Sequence, residues 1–133
     1  MKTAVDINID AQYADTIDID SITNLVNSDL SKLGVHNYLV ELNFVNNDFI
    51  HKLNNEHRGV NNPTDVLSFP QANPDHSKLN FLGSIVISPD TVKEKNETLS
   101  DAIKHGLLHL IGYDHEADTA AWEEKAMVID CNL

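Results

Sequence analysis

The segment HGLLHLIGYDH, residues 105–115, gathers three of the chain's seven histidines around one glycine. On a helix at about 100° per residue, Ile103, Leu107, Leu110 and Ile111 share an apolar sector, and His105 and His109 fall together on the opposite side. Two imidazoles at i and i+4 can share one metal ion, but a straight helix cannot easily bring a third from further along. Glycine enters left-handed conformations at little cost, so Gly112 can end the helix and turn the chain back to deliver His115. Three neutral imidazoles suit zinc and leave a fourth position open, as catalytic sites require. Nickel, copper and iron also accept imidazole. A closed structural site needs a fourth protein ligand, and the single cysteine, Cys131, lies in the tail. The other histidines, His36, His51, His57 and His76, read as ordinary surface or satisfied polar residues.

The spacing HxxxHxxGxxH matches the metzincin peptidase pattern HExxHxxGxxH except at the residue after the first histidine, where this chain has Gly106. That glutamate is the peptidases' general base. Without it, peptide hydrolysis loses its proton acceptor, whereas a metal still lowers the pKa of bound water and neutralises phosphodiester oxygens. Glycine at 106 therefore points towards phosphoryl chemistry.

The motif resembles the signature of the YbeY family, bacterial endoribonucleases of ribosomal RNA maturation. LNNEHRGVNNPTDVLSFP (53–70) and LGSIVIS (82–88) agree with it in the family's order. The resemblance spans most of residues 53–115, and the N-terminal third matches only in its strand and helix order. It implies a single α+β domain with one zinc ion, cleavage of single-stranded RNA, and action on the 3′ end of small-subunit ribosomal RNA in ribosome quality control. It makes His105, His109 and His115 the metal ligands and His105 part of the catalytic centre. The family's functional arginine falls on Arg58, the chain's one arginine, which would grip a phosphate through two hydrogen bonds and stabilise charge in transfer. The competing reading is an Arg58–Asp65 ion pair tying loop to strand. Ser68 and Lys104 are further candidates for contacting substrate, and Ser68 with Pro70 could equally belong to an edge strand ended by proline. Tyr113 and Asp114 either orient a histidine or simply occupy the turn. Ser84 stands where the family commonly has Asp. Met127 reads as core.

The elements that must position these residues are legible in outline. AVDINID alternates as a half-buried strand. Ile22, Leu25, Val26, Leu30 and Leu33 recur at helical spacing, with Gly34 as a stop. YLVELNFV (38–45), TDVLSF (64–69) and FLGSIVIS (81–88) read as strands, and NDFIHKLNNEHRG as a short helix. Ser88-Pro89 starts a helix, with a capping serine and proline at the first helical position. A helical pattern then runs into the histidine motif, with a break expected near Leu99-Ser100. QANPDHSKLN has turn composition, and AAWEEKAMVI is a last helix. This predicts one domain over residues 1–133: a small mixed four-stranded sheet packed with four or five helices, the metal-binding one metzincin-like.

A hydrophobic content of 41% against 23% charged residues excludes a disordered chain. No apolar run approaches the roughly 20 residues of a membrane helix, and the N-terminus lacks a signal peptide's core, so a cytoplasmic protein is expected. The formal charge of −12 should repel nucleic acid at long range. An RNA substrate therefore needs a local grip, and its affinity is expected to come largely from a partner, the small ribosomal subunit or a ribosome-associated protein. The nucleophile could be zinc-bound water or the substrate's 2′-hydroxyl. The alternatives are a non-catalytic zinc-containing assembly factor and a zinc hydrolase of a small molecule or peptide.

Overall fold

The computed structural model describes residues 3–71, 80–114 and 116–132. His115 and His76 lie outside the described residues, as does most of the expected turn at 71–80. Four strands, β1 (Thr3–Ile9), β2 (Tyr38–Phe44), β3 (Val66–Pro70) and β4 (Asn80–Ile87), form one sheet in the order β1-β2-β4-β3. The β1–β2 and β2–β4 pairs are parallel and β3–β4 is antiparallel, the mixed sheet of an α+β domain. Five helices accompany it: α1 (Ile19–Lys32), α2 (Asn47–Arg58), α3 (Pro89–Glu94), α4 (Leu99–Leu110) and α5 (Thr119–Val128). Among the described residues no helix is long and apolar enough to cross a membrane.

Helix starts follow the capping chemistry. Asp18 accepts hydrogen bonds from the backbone of Asp20 and Ser21 at 3.1 and 3.3 Å, and Ser88 caps α3 with Pro89 in its first turn. The break before the histidine helix falls at Lys95–Thr98, immediately before Leu99-Ser100. Thr98 Oγ1 accepts from the Asp101 N–H at 3.0 Å, and that cap fixes where α4 begins.

The two faces of the sheet are covered unequally. On one face α1 and α4 bury Val26, Leu30, Ile103 and Leu107 against Val40, Leu42, Ile85 and Ile87. On the other, Ile50 and Leu53 of α2 pack against Leu67, Phe69 and Val86. Side chains of an edge strand alternate between faces. Thus Val66 and Ser68 of β3 look towards α4, and Leu67 and Phe69 towards α2. A third cluster joins Leu108 of α4 to Trp122, Ala126 and Ile129.

Helix α4 is consequently buried on more than the aliphatic stripe its sequence suggests. Leu108 is fully covered by the α5 cluster, which leaves little but the His105–His109 edge facing outwards. Met127 departs from its expected core position and is 79% exposed, because Trp122, Ala126 and Ile129 occupy the inward side of the last helix and its terminus.

Candidate active site

Each wall of the site is built by a local device. Helix α4 ends in a pair of 6→1 and 5→2 hydrogen bonds, from Tyr113 N–H to the Leu108 carbonyl (2.9 Å) and from Gly112 N–H to the His109 carbonyl (3.1 Å). Gly112 has φ +99°, so a residue with a side chain would be strained there. The chain therefore reverses directly after His109, as the spacing predicts. The Asp114 carboxylate then accepts from the Glu116 N–H at 2.9 Å, so Asp114 ties down local backbone beyond the helix. On the opposite wall, α2 closes at Gly59, and the loop beyond it is pinned back to the helix. Asn54 donates to the Asn62 carbonyl and His51 pairs with Asn61, both at 2.8 Å. That pinning fixes the helix end bearing His57 and Arg58.

Between the walls lies a cleft of about 540 Å³ running along β3, with Arg58, Ser68, His105 and His109 among its lining residues. Arg58 and His57 reach it from the α2 side of the sheet and the histidines from the α4 side, so the cleft straddles the sheet's margin. The Nε2 atoms of His105 and His109 stand 3.1 Å apart. That spacing would let both imidazoles reach one ion, since zinc–nitrogen bonds run to about 2.0–2.1 Å. Trp122 touches both rings, with centroids 5.0 Å from each, and braces the pair from the side of α5. Cys131 is elsewhere: it packs with the α5 cluster, and its Sγ approaches the Asp101 carbonyl at 3.8 Å, about one turn before His105. The donor set thus fits an imidazole-bound metal, with His115 the third candidate.

Gly106 has a steric cause. A methyl group built on it would lie 2.9 Å from Cγ2 and 3.1 Å from Cδ1 of Ile85, a fully buried residue of β4. A glutamate at 106 would drive into the sheet and could not serve the cleft. Ser68 reinforces this close approach, donating from Oγ to the Gly106 carbonyl at 3.3 Å, so it lines the cleft while tying β3 to α4.

One expectation is corrected and one competing reading falls away. Lys104 does not line the cleft. It is 9% exposed, and its ammonium approaches the Asp130 carbonyl at 3.5 Å, because position 104 looks into the packed side of α4. The Arg58–Asp65 pair does not form either. Asp65 is bridged instead by Lys95 at 3.5 Å. Burial alone would raise the Asp65 carboxyl. A hydrogen bond with Glu97, the Lys95 charge and the Val66 N–H outweigh it and hold Asp65 below the usual carboxylate range. Glu97 is pushed up to about 7 by burial and by its hydrogen bond to Asp65. Arg58 therefore makes no ion pair or hydrogen bond with a described residue and stands exposed at the cleft. Lys93 and Lys95 do not reach it, and Asp114 and Glu116 make its far lip acidic. Ser84 faces away, hydrogen-bonded to Glu41 at 3.0 Å. Sequence reasoning passed over His57 and Trp122. His57 adjoins Arg58 at the helix end, and Trp122 lies one turn into α5; only the tertiary packing brings Trp122 to the histidines and His57 to the same cleft.

The model of the family described as Endoribonuclease YbeY matches residues 6–129. The chain belongs to the YbeY family. Among its YbeY relatives, the Endoribonuclease YbeY of Sulfurovum sp. (strain NBC37-1) is 39% identical over 130 residues, covering 90% of this chain and 84% of that protein. The Endoribonuclease YbeY of Aliarcobacter butzleri (strain RM4018) is 43% identical over 113 residues, covering 78% and 73%. The solution structure of TM1509 from Thermotoga maritima is similar in fold, with a TM-score of 0.57 and 25% identity over 95% of this chain and 87% of that one.

Proposed function

We infer that the chain is a zinc-dependent endoribonuclease that cuts single-stranded RNA and works on the 3′ end of small-subunit ribosomal RNA. The supporting observation is the pair of imidazole nitrogens 3.1 Å apart in the same cleft as an Arg58 left free of ion pairs with described residues. His105, His109 and His115 would hold the metal, which when bound supplies Lewis-acid polarisation of a phosphoryl oxygen and a lowered water pKa. Arg58 donates two N–H groups to the non-bridging phosphate oxygens and compensates the charge that grows there during transfer. Trp122 holds the two helical imidazoles in register, and the Gly106–Ile85 contact keeps a carboxylate from the position a peptidase would use.

The charge of −12 opposes docking of a long polyanion. We assign bulk affinity to the small ribosomal subunit or a protein bound to it, with the acidic surface suppressing unspecific RNA degradation. The test is cleavage of a short 3′-extended ribosomal RNA by zinc-loaded protein beside Arg58→Ala and His109→Ala. Wild-type cleavage abolished by chelator, restored by zinc and lost in both variants is the expected result. Cleavage unaltered by chelator, or absent from metal-loaded wild type, refutes the reading.

A further inference from the structure

Arg58 is the one Lys or Arg among the described residues lining the cleft, and the opposite lip carries Asp114 and Glu116. One guanidinium can fix one phosphate but cannot choose which nucleotide lies beside it, so selection of an unpaired strand needs a contact that is not ionic. The wall next to Arg58 offers one. The His57 ring meets the Phe69 ring edge-on, with centroids 5.0 Å apart and planes at 73°, and both residues line the cleft. Phe69 is half-buried and anchored in the cluster of Leu67, Val86 and Ile50, so it cannot swing away. His57 is exposed, yet the edge contact and the pinned end of α2 restrict its ring. Rings at nearly right angles cannot both stack on one base, but together they form a corner in which a base stacks on one and abuts the other. Side chains of this kind bind splayed-out bases, and a base locked in a duplex has no free face to offer.

We propose that His57 and Phe69 form a base-stacking corner that seats the nucleotide adjoining the phosphate held by Arg58, and that this seat selects unpaired strands. The proposal rests on the ribonuclease reading of the same cleft. His57 here is a substrate-binding residue: its ring face meets the base.

The test uses the zinc-loaded full chain and a short 2′-O-methylated single strand that resists cleavage, followed by NMR. Saturation should move the His57 ring protons, which lie over the base face, upfield, and the Phe69 ring protons, which meet the base edge, in the opposite direction. An abasic site at one nucleotide should abolish both shifts and weaken binding about tenfold, the loss of one stacked base. His57→Ala should weaken the intact strand by about the same factor and the abasic strand no further. His57→Phe should restore binding, and Phe69→Leu, which keeps the apolar packing, should weaken it. Absence of ring shifts, His57→Phe as weak as His57→Ala, or equal abasic penalties in wild type and His57→Ala would each overturn the proposal. Cleavage of an unmodified strand separates the two claims. Cleavage without the stacking signature sinks the corner alone, and the signature without cleavage sinks the nuclease reading alone.

Discussion

Replacing Gly106 with alanine tests whether close helix–sheet contact determines that residue. The added carbon would sit 2.9 Å from Ile85 Cγ2 and 3.1 Å from Cδ1, against about 3.5–4.0 Å for a relaxed carbon–carbon contact. Ile85 is fully buried and cannot rotate aside. The overlap therefore belongs in the upper part of the roughly 1–3 kcal/mol range for overpacking. Alanine in place of glycine within a helix returns about 1 kcal/mol. The expected result is a net loss of about 1–2 kcal/mol in urea unfolding. Zinc affinity should weaken with it, since α4 must lift from the sheet and carry His105 and His109 along. Ile85→Ala removes the opposing atoms, so combining it with Gly106→Ala should cost about 1–3 kcal/mol less than the sum of the two changes. If Gly106→Ala is more stable than wild type by the full helix-propensity gain, and the pair is additive, the steric account fails.

Asp29 is 2% exposed, and burial pushes its carboxyl from 3.8 up to about 6 despite the opposing charges of Lys104 and Lys32. The folded chain then holds this proton more tightly than the unfolded one, so the contribution of Asp29 to stability is full below about pH 4 and is lost as pH rises through about 6, a fall of at most about 3 kcal/mol. Asp29→Asn should be more stable than wild type at pH 7 and lack that fall in chemical denaturation. Equal pH profiles would contradict it. Trp122→Ala should cost about 3–5 kcal/mol, as for other buried aromatics, and weaken zinc binding roughly 10–100-fold. Unchanged metal affinity in a folded variant would remove its bracing role.

Much of this was readable from local chemistry. Strand alternation, the Ser88-Pro89 start and the Gly112 reversal depend on a few neighbouring residues, and each lies where those residues demand. Lys104 and Met127 were misjudged, and sequence alone leaves the Arg58–Asp65 alternative open, for a shared reason. Which side of a helix is covered twice, and which carboxylate a cation reaches first, is set by elements far away in the chain. Helix α5 covers Leu108, and Lys95 reaches Asp65 before Arg58 does. Periodicity marks an apolar face but not what presses on the others. His57 shows the same limit, since its partner Phe69 is twelve residues away on a different element.

Trp122 is the chain's sole tryptophan, and it lies in contact with the two imidazoles proposed to capture the ion. All indole emission therefore originates at the site, and nearby imidazoles quench indole differently when free, protonated or ligated. Loading and stripping of the cation can be followed in unlabelled protein by light alone.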